Sequence, residues 1–252
     1  MKENKKIGFI GQGWIGKNYA DYYEEVGYQI VRYALEEPYN KNKEAIKECD
    51  VVFIAVPTPT TPSGFDDSII RGVVKLVGKG NIALIKSTLL PGTTRKIKKE
   101  NSDIVIMNSP EFLREANARN DVFHPDRNII GITEMNEELL SHAKEVMALF
   151  PKAPYEKICR AEEAELTKYG GNNFLFWKVI FMNMLYDTTI SLGADWDVIK
   201  ENMIADPRIG SSHMTPVHTS GHGGKGGRGA GGHCFIKDFS AFLELYEQST
   251  HD

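Results

Sequence analysis

Three glycines constrain this chain more than any other feature of its 252 residues. Gly11-Gln12-Gly13-Trp14-Ile15-Gly16 follows the apolar run Ile7 to Ile10 and leads into the amphipathic stretch Lys17 to Val26. A GxGxxG spacing is a weak signal alone, but between a strand and a helix it has a physical reason. The first glycine permits a tight turn, the second lets backbone N–H groups approach a pyrophosphate, and the third lets the helix pack close to the strand. The helix start then offers unpaired donors and the positive end of its dipole to phosphate. Gly11, Gly13, Trp14, Ile15 and Gly16 are therefore the expected cradle of a dinucleotide.

The pattern around this motif repeats. Apolar runs at Tyr28 to Tyr33, Val51 to Val56, Ile82 to Ile85, Ile104 to Met107 and Asn128 to Ile132 read as strands. Helix-like stretches at Asp67 to Val77, Thr93 to Lys99 and Glu137 to Phe150 separate several of them. Continuous apolar strands alternating with helices predict an α/β, Rossmann-like doubly wound parallel sheet. Pro151 and Pro154 punctuate a boundary, which places a dinucleotide-binding domain at 1–154 and an α-helical central domain at 155–252. In the second part, Ala161 to about Leu192 reads as one long helix and Asp195 to Ala205 as a second. A Pro/Gly/His loop spans 206–233, and a last helix starts at Asp238. Gly170 and Gly171 interrupt the long helix, as a kink or as a place where a ligand nears the backbone.

The ribose end of the fingerprint is less regular. An acid should stand about 20 residues beyond the glycines. The second strand ends Val31-Arg32-Tyr33, and Glu36 and Glu37 follow in the loop. Either glutamate could hold a ribose, whereas Arg32 could favour a 2′-phosphate or be a solvated strand-edge residue. The balance favours NAD over NADP.

Composition narrows the class. The net charge is −4, so no basic field argues for nucleic acid. No run approaches the ~20 apolar residues of a membrane span. Cys49, Cys159 and Cys234 are widely spaced, and the start MKENKKIGFI runs straight into a strand; free thiols and a cytoplasmic location are expected. Cys49 reads as a buried structural thiol. Eight of the 23 glycines lie between Gly221 and Gly232, in a loop leading directly to Cys234. His213, His218, His222 and His233 lie in or beside it, but no carboxylate or cysteine completes a ligand set, so no metal is expected.

Seven segments in order give the pattern a name. GQGWIG, AVPTPTTP (55–62), KSTLLPGTT (86–94), NSPEFLREANARNDVFHPDRNIIG (108–131), EAELTKYGGNNFLFWKVIFMN (163–183), DPRIG (206–210) and GRGAGGHCFIKD (227–238) together resemble the UDP-glucose/GDP-mannose dehydrogenase family. The resemblance implies NAD-dependent oxidation of the C6 alcohol of a nucleotide sugar to the acid, with Cys234 as the nucleophile. It implies that Lys168 and Asn172, i,i+4 on one helix face, donate to the oxyanion at C6. Glu111 would be the acid/base group, Asp238 would assist proton transfer near Cys234, and Thr88 would order water beside the cofactor. The cofactor would meet Val56, Pro57, Thr58, Ser87, Thr88, Glu115 and Lys237. The sugar would meet Glu111, Phe112, Leu113, Arg114, Glu115, Lys168, Asn172, Arg208 and Gly231.

The chain departs from that family in three ways. Only about 20 residues separate the second strand from AVPTP, so one helix-and-strand excursion is trimmed. Ala230 and Ile236 replace an aromatic and a proline around the cysteine motif. The chain stops 14 residues after Asp238, where relatives continue into a second nucleotide-binding domain, so a short form lacking that domain is expected. Two other readings stand beside the enzyme: a two-electron hydroxyacid dehydrogenase of the 6-phosphogluconate type, and a non-catalytic nucleotide-binding protein. The apolar load on the long helix, from Phe174 to Leu185, predicts a homodimer through it, with burial inside one subunit as the alternative.

Overall fold

A computed structural model describes residues 5–61, 64–114, 117–219, 225–230 and 235–250. Chain order begins β1 (Lys6–Ile10), α1 (Trp14–Glu25), β2 (Gln29–Tyr33) and β3 (Val51–Ile54). A short hairpin, β4 (Thr60–Thr61) and β5 (Gly64–Phe65), precedes α2 (Ser68–Val74) and β6 (Ile82–Ile85). Next come α3 (Thr93–Glu100), β7 (Val105–Asn108), α4 (Ala118–Phe123), β8 (Arg127–Ile132), α5 (Glu137–Met147) and β9 (Tyr155–Arg160). The chain ends with α6 (Ala161–Ser191), α7 (Trp196–Ile204) and α8 (Phe235–Thr250). Residues group into two compact units, Met1–Lys168 and Tyr169–Asp252, so β9 and the first turns of α6 fall with the first.

The first unit is a seven-stranded sheet in the order β2-β1-β3-β6-β7-β8-β9. Neighbours are parallel except β7 and β8, which pair antiparallel through Met107 with Ile132 and Asn108 with Gly131. The apolar runs are continuous because successive side chains serve opposite faces. Ile7, Phe9, Val51, Phe53, Ile82 and Leu84 pack with Tyr19 and Tyr23 of α1 and Val146 of α5. Their neighbours Ile10, Val52, Ile54, Ala83 and Ile85 pack with Ile70 and Val74 of α2 and Ile97 of α3. Cys49 belongs to this second layer, and burial pushes its thiol up to about 11, as suits a structural residue.

β2 is one edge of the sheet and β9 the other. Between β2 and β3, two short 3-10 turns at Tyr39–Asn42 and Glu44–Glu48 replace a full crossover helix. Asn42 donates its side-chain amide to the Arg32 carbonyl at 2.9 Å, which blunts the open edge. At the other side, α6 begins against β8. A Cβ on Gly131 would lie 2.8 Å from both the Ala161 Cα and the Ala164 Cβ, so the helix can start that close only above a glycine.

In the second unit, α6 runs unbroken through Gly170 and Gly171, and a Cβ at either would meet nothing within 4 Å. Met182, Trp196 and Met214 form its small core with Leu185 and Ile199. Phe239 of α8 stacks on Phe176 of α6 with ring centres 4.6 Å apart. No described helix is long and apolar enough to cross a membrane.

Candidate active site

β1, β3, β6 and β7 point the same way, so the segments after them gather at one edge of the sheet. β1 sits where the strand order reverses, between β2 and β3, the usual position of a dinucleotide crevice. The glycine turn behaves as its spacing predicts. Gly11 has φ +90°, and a Cβ there would lie 2.2 Å from the Ala55 carbonyl oxygen. A Cβ on Gly16 would lie 2.0 Å from the Gly11 carbonyl oxygen. At Gly13, by contrast, a Cβ would meet nothing within 4 Å. Gly13 is also the N-cap of α1, and neither a side-chain cap nor an acid in the first turn satisfies the helix start. Open space over free N–H donors fits a pyrophosphate, and Trp14 and Ile15 form the first turn facing it.

The segments after β3 and β6 are tied together. Ser87 donates its hydroxyl to the Val56 carbonyl at 2.7 Å and accepts the Val56 N–H at 3.0 Å. Thr58 donates to the Thr88 carbonyl at 2.9 Å. Val56, Thr58, Ser87 and Thr88 thus stand in one place, with Pro57 between the first two, and the Ser87 hydroxyl is spent on the Val56 backbone.

At the tip of β2, Arg32 is neither solvated nor free for phosphate. Its guanidinium meets Asp21 at 2.6 Å and Glu24 at 2.7 Å, both on α1. Two carboxylates already hold the cation that a 2′-phosphate would need.

After β7 the chain builds a cavity of about 340 Å³, lined in part by Tyr19, Lys86, Ser109, Glu111, Phe112 and Arg127. Glu111 is buried. One of its oxygens accepts the Leu113 N–H. The other, Oε2, makes no hydrogen bond to any described residue and faces the Lys86 ammonium at 3.7 Å. Arg114 gives its backbone N–H and its guanidinium to Asp121, at 2.8 Å and 2.5–3.0 Å. The Leu113 and Arg114 amides are therefore engaged within the chain. Phe112 carries the Arg127 guanidinium 3.9 Å above its ring, and the Lys168 ammonium lies 5.7 Å from the same ring. Tyr19 carries no motif signal, and Lys86 opens the KSTLLPGTT segment with no role implied for it; α1 and the end of β6 bring them to Glu111.

In the second unit, Asn172 donates to Asp238 Oδ2 at 2.5 Å, and Lys237 donates to Oδ1 at 2.5 Å. Asp238 is buried, and each of its two oxygens accepts one of these bonds. Arg208 is exposed and folded back on Asp206 at 2.5 Å. Glu115, Gly231 and Cys234 lie outside the described residues, as do His222 and His233.

Comparison with known proteins adds the family context. Residues 35–151 match the NAD-binding domain of the UDP-glucose/GDP-mannose dehydrogenase family, and residues 162–252 match its central domain. UDP-glucose 6-dehydrogenase YwqF of Bacillus subtilis is 31% identical over 222 residues, covering 83% of this chain and 47% of that protein. A UDP-glucose 6-dehydrogenase of Rickettsia bellii is also 31% identical, over 83% of this chain and 48% of its own length. The chain thus spans about half the length of the curated relatives it matches. The solved UDP-glucose dehydrogenase of Pyrobaculum islandicum superposes with a TM-score of 0.80 at 27% identity, over 97% of this chain and 64% of that one.

Proposed function

The chain belongs to the UDP-glucose/GDP-mannose dehydrogenase family, and from that premise we propose that it oxidises the C6 alcohol of a nucleotide sugar, of the UDP-glucose kind, to the uronic acid. The joint match of the NAD-binding and central domains is the observation that carries this reading. NAD, when bound, supplies a hydride acceptor, and going from alcohol to acid needs two equivalents. Gly11 to Gly16 would hold its pyrophosphate, with Val56 to Thr58, Ser87, Thr88, Glu115 and Lys237 beside the rest.

The remaining work is the movement of protons and a nucleophile. As hydride leaves C6, the hydroxyl proton goes to a base and an aldehyde results. The Cys234 thiolate adds to the aldehyde carbon, and the oxygen, stabilised by Lys168 and Asn172, takes a proton to give a thiohemiacetal. Loss of the second hydride and of that proton leaves a thioester. Glu111 accepts a proton from water as the water oxygen bonds to the thioester carbon, and the C–S bond breaks to return the thiolate. In sum, one alcohol, two NAD⁺ and one water give one acid, two NADH and two protons. Asp238, held by Asn172 and Lys237, would serve proton transfer beside the cysteine, and Thr88 would order the water. Phe112 to Glu115, Arg208 and Gly231 would contact the substrate.

Assembly as a homodimer belongs to the same proposal. Phe174, Trp177, Phe181 and Met184 of α6 are exposed, from 53% to 69%, and repeat at steps of three and four. An apolar stripe with that period suits a second copy of the helix. A panel of UDP-glucose, UDP-N-acetylmannosamine and GDP-mannose with NAD⁺ tests the activity. Turnover on one of them is expected; NAD⁺ binding with no hydride transfer to any would favour a non-catalytic protein.

A further inference from the structure

A carboxylate that is to accept a proton must be ionised, and burial works against ionisation. Glu111 is only 4% exposed, and its Oε2 makes no hydrogen bond to any described residue. Its compensating charge is Lys86, also 4% exposed, whose ammonium lies 3.7 Å from Oε2. That distance exceeds a hydrogen bond, so the lone pairs of Oε2 stay available while the charge acts across a poorly screened gap.

Lys86 is itself held in place by neutral groups. It donates to the Ser109 hydroxyl at 3.2 Å and sits 4.6 Å from the Tyr19 ring centre and 5.2 Å from that of Phe150. Two ring faces and a hydroxyl support a cation without cancelling it. Tyr19 stays a neutral phenol, because burial and then the Glu111 carboxylate push its pKa well above 10. Burial lowers the pKa of Lys86, Glu111 opposes that, and Lys168 on α6 adds to it. Of the other charged groups around the cavity, Asp121 is engaged by Arg114 and Arg127 by the Phe112 ring, while His124 and Asp126 line the wall.

Resting on the assignment of Glu111 as the acid/base group, we propose that Lys86 is a positioning residue: its buried ammonium keeps the Glu111 carboxylate ionised while leaving Oε2 without a hydrogen bond to any described residue. Lys86 acts through Glu111 and need not touch the substrate.

NMR titration of the full chain, with ¹³C in glutamate carboxyl and lysine side-chain carbons, reads this coupling from both sides. The Glu111 signal is the glutamate resonance that Glu111→Gln removes. In Lys86→Met, which keeps bulk and removes charge, its midpoint should rise by about one unit or more, and Lys86→Arg should restore part of the shift. Conversely, in Glu111→Gln the Lys86 signal should titrate at least about one unit lower. The second arm decides the matter even if Lys86→Met does not fold. If neither midpoint moves, the proposal is wrong. Should the unaltered chain turn over UDP-glucose with NAD⁺, Lys86→Met should also move the acid limb of the kcat profile upward by the same amount and leave the KM for NAD⁺ in place. Absence of turnover would count against the proposed function alone, since the titrations need no substrate.

Discussion

Thr94 and Glu165 stand 71 residues apart, yet the Glu165 carboxylate accepts both the Thr94 N–H, at 2.9 Å, and its hydroxyl, at 2.6 Å. It also accepts the Gly92 N–H at 2.6 Å. Gly92 is the N-cap of α3 and has no side chain to satisfy the helix start, so α6 supplies the cap from a distance. This links the segment carrying Ser87 and Thr88 to the helical turn that precedes Lys168.

Burial pushes Glu165 up to about 7 from an ordinary value near 4.5, despite the three donors that favour its charged form. A carboxyl with a raised folded pKa binds its proton more tightly in the folded state. Stability from this group is therefore full below about pH 4.5 and falls as pH rises to about 7. Urea unfolding across that window should show the decline, of at most about 3 kcal/mol. Glu165→Gln should flatten that part of the curve; an unchanged slope in the folded variant would contradict the assignment.

Asp238 is buried and held by Asn172 and Lys237, so removing one partner leaves a charge-assisted bond unmade. Asn172→Ala should cost about 1.5–3 kcal/mol in urea unfolding. In a double-mutant cycle with Asp238→Ala, the two changes should cost less than their sum, by about 0.5–3 kcal/mol. Strict additivity would mean that the Asn172 contact carries no energy.

The pairing of Arg32 with Asp21 and Glu24 bears on cofactor choice. NAD⁺ should bind more tightly than NADP⁺ by about tenfold or more in calorimetry, since the available guanidinium is already neutralised. Asp21→Asn combined with Glu24→Gln frees Arg32 and should narrow that preference. A double variant with the preference intact would show that Arg32 has no part in it.

The α6 stripe predicts a dimer at micromolar concentration by sedimentation. Trp177→Glu with Phe181→Glu should shift it to monomer without unfolding the first unit, whose circular dichroism and NAD⁺ binding serve as controls. A monomeric unaltered chain would refute the dimer.

Much of this architecture is legible in the sequence, for physical reasons. Both layers over the sheet are apolar, so β1, β3, β6 and β7 appear as uninterrupted runs, and the glycine turn is specified by steric contacts that a Cβ would violate. β9 was not readable: YEKICR is only half-buried, and it follows two prolines that look like a boundary. The six-residue α4 was hidden inside a motif. The roles of Lys86, which opens KSTLLPGTT, and of Tyr19 are not legible in sequence, because their chemistry exists only once β6 and α1 bring them to Glu111. Arg32 was ambiguous for the same reason, as its partners lie on a different element.

Four-electron oxidation through Cys234 is tested most directly by counting NADH formed per UDP-glucose consumed, with and without Cys234→Ser. Two NADH per sugar, lost in Cys234→Ser while NAD⁺ still binds, is the predicted result. One NADH per sugar, unaffected by that substitution, would contradict it.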